Sequence, residues 1–102
     1  MKVSVIVVTL NEEKNILPCL QSLLKQDIPK EDYEILVVDG GSTDKTQENV
    51  EEIAKQHSSL KLLVKENGSI TTCRNIGIKF AQHEYIAFTD ADCVVPEDWL
   101  RR

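Results

Sequence analysis

Three apolar runs in this chain each hand over to residues that could do chemistry. Val3 to Val8 leads into Thr9, Asn11 and Glu12; Ile35 to Val38 leads into Asp39; Tyr85 to Phe88 leads into Thr89 and then Asp90-Ala91-Asp92. Carboxylates gathered in one crevice repel one another unless they protonate, stay solvated or share a cation. Hard oxygen donors suit Mg²⁺ or Mn²⁺, and a carboxylate-held ion with open positions usually completes its shell with substrate phosphates. Each residue also has a plainer reading. Asp at a strand-to-loop junction is a frequent turn former, which covers Asp39 before Gly40-Gly41 as well as Asp90 and Asp92. Asn11 and Glu12 suit a helix start, and Arg74 is either a solvated helix residue or a cation facing an anion.

What decides between these readings is whether the fold brings the three sets together. Apolar runs alternate with helical patterns along the whole length, the signature of a parallel sheet with crossover helices. Val3 to Thr9 is β-branched and nearly continuous in apolar character, as in a strand covered on both faces. Ile16, Leu20, Leu23 and Leu24 recur at helical spacing, so a helix is expected from about Asn15 as N-cap, with Pro18 in its first turn. Strand two is expected over 34–39, and a turn at 40–44 leads into a helix running to about His57. A short strand at 60–64 and a break at Asn67-Gly68 precede a helix from Ser69 to about Gln82, with Ser69 as its N-cap. Strand four is expected over 84–89, and Pro96-Glu97-Asp98 reads as the first turn of another helix. Right-handed crossovers then favour a doubly wound, mostly parallel α/β sheet of order 3-2-1-4 in a three-layer α/β/α arrangement. Ligands in such sheets bind beyond the carboxyl ends of the strands where the winding reverses, here between strands one and four.

Composition narrows the class. At 102 residues the chain is one small domain, with 41% apolar and 28% charged residues, proportions of an ordinary globular protein. Seventeen acidic against twelve basic residues give a net charge of −5, and no Lys/Arg stripe offers phosphate neutralisation, so nucleic acid is not the expected partner. Cys19, Cys73 and Cys93 have neither the parity of a disulfide framework nor the spacing of a zinc site, which fits reduced thiols and a cytoplasmic setting. The apolar opening is too short to span a bilayer and lacks a signal-peptide pattern. Association with the cytoplasmic face of a membrane would have to come from regions outside these residues.

Four spaced motifs together resemble the N-terminal half of glycosyltransferase family 2, the inverting transferases with the GT-A fold. They are V-S-V-I-V-V-T-L-N-E-E from Val3, V-V-D-G-G-S-T-D-K-T from Val37, R-N-I-G-I from Arg74, and E-Y-I-A-F-T-D-A-D from Glu84. The likeness spans essentially the whole chain. It departs from the familiar form at Leu10, where an aromatic often stands, at Gly40, where a second Asp is usual, and at Thr89, where Leu is commoner. The resemblance implies that residues 1–102 are the donor-binding part of a metal-dependent transferase using a UDP-, GDP- or dTDP-sugar. Thr9, Asn11, Glu12, Asp39, Arg74 and Asp90 would bind the nucleotide sugar, and Asp92 with Asp90 would hold Mg²⁺ or Mn²⁺. It also implies that the catalytic base and the acceptor site lie downstream, so no residue here is assigned as catalytic and the acceptor is open.

Other wound-sheet proteins fit less well. A receiver domain of phosphorelay signalling needs an Asp after strand three, where this chain has Val64-Lys65-Glu66. Sugar nucleotidyltransferases and dinucleotide-binding domains need a Gly-rich loop after strand one, where Thr9-Leu10-Asn11-Glu12 has no Gly. A non-catalytic nucleotide-binding fragment remains the alternative to an enzyme.

Overall fold

A computed structural model describes residues 2–101. Met1 and Arg102, the ends of the expected domain, lie outside the described residues. Four strands, β1 (Val3–Thr9), β2 (Tyr33–Asp39), β3 (Leu60–Val64) and β4 (Tyr85–Asp90), alternate with three helices, α1 (Ile16–Leu24), α2 (Thr46–Ala54) and α3 (Ile70–Phe80). All pairings are parallel, in the order β3-β2-β1-β4. That is the expected winding, with its reversal between β1 and β4.

The pleat sorts the core into two layers, because alternate residues of a strand face opposite sides. Val3, Val5, Val7, Ile35 and Val37 pack with Ile16, Cys19, Leu20 and Leu23 of α1 and Val50 of α2. Ile6 and Val38 face the other way, against Cys73 of α3. β1 and β2 are therefore covered on both faces, which is why their sequences read as continuous apolar runs.

Element ends depart from the sequence expectation for identifiable reasons. α1 begins after Asn15, but the Asn15 side chain does not cap it; its Nδ2 donates to Glu12 Oε1 at 3.2 Å. α2 stops at Ala54 because the following residues wind tighter, with Gln56 N–H donating to Ile53 O and His57 N–H to Ala54 O. α3 is capped by Ser69 as expected, its Oγ accepting from Thr72 N–H, but ends at Phe80. Beyond it the Gln82 N–H donates 2.7 Å to the buried Glu34 carboxylate, which also accepts from Ser4 Oγ, and Ser4 Oγ accepts from His83 N–H. This polar latch at the amino ends of β1 and β2 turns the chain into β4, which runs one residue later than expected, to Asp90. Residues 97–101 form turns rather than a helix, closed by Trp99 N–H to Pro96 O and Arg101 N–H to Asp98 O.

The approach of α3 to the sheet depends on Gly77, where an added Cβ would stand 2.7 Å from Cγ2 of the fully buried Ile6. Alanine raises helix propensity by up to about 1 kcal/mol, whereas overpacking a filled core costs about 1 to 3 kcal/mol. Gly77→Ala should therefore lower the midpoint of thermal unfolding; an unchanged or raised midpoint would show that α3 is not seated against Ile6.

Candidate functional site

Parallel register brings the ends of the central strands to one edge: Thr9 pairs with Asp39, and Val8 with Asp90. Between them opens a cleft of about 570 Å³, within the usual range for a small-molecule site. Thr9, Glu12, Asp90 and Asp92 line it, so four of the seven residues singled out in the sequence meet there. Thr9 is 2% exposed, and its Oγ1 is a buried oxygen without a hydrogen-bond partner among the described residues. A buried hydroxyl in that condition costs free energy unless something completes it.

Asn11 and Asp39 are not among the residues lining the cleft, and their side chains bond to the loops around it. Asp39 is fully buried, and its carboxylate accepts from Gly41 N–H at 3.0 Å, Ser42 N–H at 2.7 Å, Gln47 Nε2 at 2.8 Å and Ser42 Oγ. Three of these donors converge on Oδ2 and one on Oδ1. Ser42 Oγ also accepts from Asn11 N–H at 2.8 Å, and Asn11 Oδ1 accepts from Thr43 N–H at 2.9 Å. Asn11 adopts a left-handed backbone (φ 53°), which Asn tolerates better than most residues. One step on, Thr46 Oγ1 accepts from Glu12 N–H at 2.9 Å and donates to Asp44. That hydroxyl holds the Asp44 carboxyl below its ordinary value. The loops after β1 and β2 are thus stitched into one rim.

Glycine forms much of the floor. A Cβ on Gly40 would stand 2.8 Å from the Gly68 carbonyl oxygen, and one on Gly68 would stand 2.9 Å from Cys73 Sγ. The second Asp usual at position 40 therefore has no room here unless the Lys65–Ser69 turn moves. Gly68, Ser69, Ile70 and Cys73 all line the cleft, and none was picked out as a ligand contact from the sequence. Their only signal there was the Asn67-Gly68 break and the Ser69 cap.

Arg74 lies to one side. Its guanidinium stands 5.6 Å from the centre of the Phe88 ring, a cation–π arrangement, and it lines an adjoining depression with Phe88, Thr89 and Asp90. Asp90 borders both spaces. The turn carrying Asp90 and Asp92 is closed by Cys93 N–H donating to Asp90 O at 3.1 Å, and the Cys19 thiol reaches the same carbonyl at 3.5 Å from below. Burial first, with the neighbouring Cys93 and acidic side chains adding to it, pushes the Cys19 thiol up to about 12. Burial and then Asp39 likewise raise Cys73. Both thiols stay neutral packing groups. Cys93, by contrast, is exposed, and one ligand atom each from Asp90, Asp92 and Cys93 fall within 4.8 Å of one another. Three oxygen and sulfur donor atoms thus stand close together at the exposed end of β4.

Comparison with known proteins shows the family and the fold. Residues 4–102 match the family described as glycosyl transferase family 2, and the chain belongs to that family. It is 39% identical over 101 residues to glycosyltransferase AglE of Haloferax volcanii, covering 98% of this chain and 33% of that protein. The crystal structure of Staphylococcus aureus TarS 1–349 in complex with UDP-GlcNAc is 40% identical with a TM-score of 0.89, over 99% of this chain and 29% of that one. The mannosyltransferase PcManGT of Pyrobaculum calidifontis, in complex with GDP-Man and Mn²⁺, is 35% identical with a TM-score of 0.88, over 97% of this chain and 30% of that one. The fold is the GT-A fold of these transferases, and the chain spans about a third of the length of each.

The stitching makes a direct prediction. Asp39→Ala leaves two backbone donors, a hydroxyl and an amide without their charged acceptor, and hydrogen bonds to a charged group contribute about 1.5 to 3 kcal/mol. Urea unfolding should show a loss of at least about 2 kcal/mol, with Asp39→Asn intermediate. Stability equal to that of the unaltered chain would mean that the carboxylate does not anchor the loop.

Proposed function

We propose that residues 1–102 form the donor-binding part of a glycosyltransferase that moves a sugar from a nucleoside-diphosphate sugar to an acceptor with inversion. The observation that carries this reading is the unpartnered Thr9 hydroxyl in a cleft whose other wall is Asp90 and Asp92. The relatives solved in complex with UDP-GlcNAc and with GDP-Man and Mn²⁺ support it.

In this reading the nucleoside lies over the Gly40–Gly68 floor, where the absence of side chains allows a flat ring close to the backbone. Thr9 Oγ1 gains the partner it lacks, and Leu10 and Ile70, both exposed at the cleft, offer apolar contact to the ring. Glu12 closes the rim. Asp39 and Asn11 serve the nucleoside by fixing the loops, and Arg74 awaits an anionic group on the Asp90 side. Asp92 and Asp90 hold Mg²⁺ or Mn²⁺ against the diphosphate. Such a cation, when bound, stabilises the negative charge that grows on the leaving diphosphate. The acidic residues make this pairing necessary on electrostatic grounds, since carboxylates facing a bare diphosphate would repel it.

Binding of UDP and GDP, followed by calorimetry with Mn²⁺ and again with a chelator, tests the reading. At least one nucleotide should bind with Mn²⁺ and lose most of its affinity with chelator, and Asp92→Asn with Mn²⁺ should behave like the chelated protein. Affinity that is indifferent to both would remove Asp92 and the cation from donor binding.

A further inference from the structure

The start of α3 opens into the cleft, where Gly68, Ser69 and Ile70 form part of the wall. A helix leaves its first N–H groups without acceptors of its own, and they carry its positive end. In α3 the Ser69 Oγ accepts the Thr72 N–H and the Ser69 carbonyl accepts the Cys73 N–H, whereas the N–H groups of Ile70 and Thr71 have no acceptor within the helix. The charged side chains lining the cleft are Glu12, Asp90 and Asp92, so the start of α3 is the element that presents positive potential to it. A second, independent observation marks the same cleft for a ligand: Thr9, which lines it, carries a buried hydroxyl with no partner among the described residues. Two backbone bonds tie Thr9 to the start of the helix, Gly40 N–H donating to Thr9 O at 3.0 Å and Gly68 N–H to Gly40 O at 3.2 Å.

Those bonds decide which part of the donor meets the helix. Gly40 continues β2 and Asp90 ends β4, with β1 between them, so the two ends are about 10 Å apart at ordinary strand spacing. With the diphosphate at Asp90 and Asp92, the base lies at the Gly40–Gly68 end, beside the first turn of α3. We propose that this turn, through the Ile70 N–H, reads the carbonyl oxygen on the base edge remote from the ribose: O4 of uracil or thymine, or O6 of guanine. The inference rests on the donor-binding reading and names the class of base the site takes. Cytosine and adenine carry an amino group at the corresponding position, which would set one N–H donor against another and leave both without an acceptor.

The helix itself supplies the variant. Ile70 is the first residue of α3, where proline is tolerated because that N–H has no partner in the helix, and Ser69 before it already has the extended backbone that precedes proline. Ile70→Pro removes one donor from the cleft and keeps the helix, whereas Ile70→Ala keeps the donor and removes the apolar side chain. Calorimetry with Mn²⁺ compares UDP with CDP and GDP with ADP, pairs matched in ring size, on the native chain and both variants, with circular dichroism checking the fold. In the pair that binds, the carbonyl-bearing nucleotide should bind at least about tenfold tighter than its amino counterpart, the scale of one hydrogen bond and the penalty for leaving its groups unpaired. That preference should fall below about threefold in Ile70→Pro, once the donor is gone, and persist in Ile70→Ala. On the native chain, 4-thio-UDP or 6-thio-GDP, with weakly accepting sulfur in place of the oxygen, should bind more weakly than its parent. Equal affinity within both pairs, a preference that survives Ile70→Pro, or one lost equally in Ile70→Ala overturns the proposal and leaves donor binding standing. A thio-nucleotide that binds as tightly as its parent does the same. If none of the four nucleotides binds with Mn²⁺, the donor-binding reading fails and this inference fails with it.

Discussion

The buried carboxylate of Asp39 is the interaction on which the geometry of the cleft depends. A parallel sheet delivers the ends of β1, β2 and β4 to one edge, but it does not say how the loops beyond them run. A charge with no exposure must be fully partnered or it destabilises the fold, and Asp39 meets that condition by gathering Gly41, Ser42 and Gln47 around itself. Ser42, once placed, receives Asn11, and Asn11 receives Thr43. The electrostatic requirement of one side chain is thereby passed along a chain of hydrogen bonds until the loops after β1 and β2 share one conformation.

The opposite wall rests on a different constraint, the lack of side chains. Gly40, Gly68 and Cys73 pack so closely that a Cβ at either glycine would collide with backbone or sulfur. Backbone from the turn before α3 can then lie against the loop after β2, with Gly68 N–H donating to Gly40 O. Polar stitching on one side and steric intimacy on the other leave Thr9, Glu12, Ser69, Asp90 and Asp92 as the polar side chains lining the space between. The departure at Gly40 from the family's usual Asp is consistent with this: a carboxylate there would need the room that Gly68 occupies.

The sequence carried the sheet almost completely. Periodicity located β1, β2 and β3, and the handedness of crossovers sufficed for the order β3-β2-β1-β4 because few arrangements of four such strands are allowed. Ends of elements were less legible where distant groups decide them. The arrest of α3 at Phe80 follows from Glu34, almost fifty residues earlier in the chain, and no local pattern encodes that contact. The site was legible as a set of residues at strand ends but not as roles within it. Asp39 and Asp90 follow their strands in the same way, yet one is sealed beneath the loop and the other exposed at the cleft, a difference set by which donors the fold places nearby. Gly68, Cys73 and Cys93 were silent for the same reason, since a small side chain or a lone thiol acquires meaning only from its neighbours in space.

The central claim is that one cleft, framed by Asp39 and floored by Gly40 and Gly68, receives a nucleoside diphosphate whose charge is met at Asp90 and Asp92. A crystal structure of the chain grown with UDP or GDP and Mn²⁺, with the ion located by its anomalous scattering, tests this most directly. The ion should lie between Asp92 and the diphosphate, Thr9 Oγ1 should have acquired a partner on the ligand side, and Asp39 should keep its bonds to Gly41 and Ser42. An ion away from Asp90 and Asp92, or an Asp39 carboxylate turned out of its loop to face the base, would contradict it.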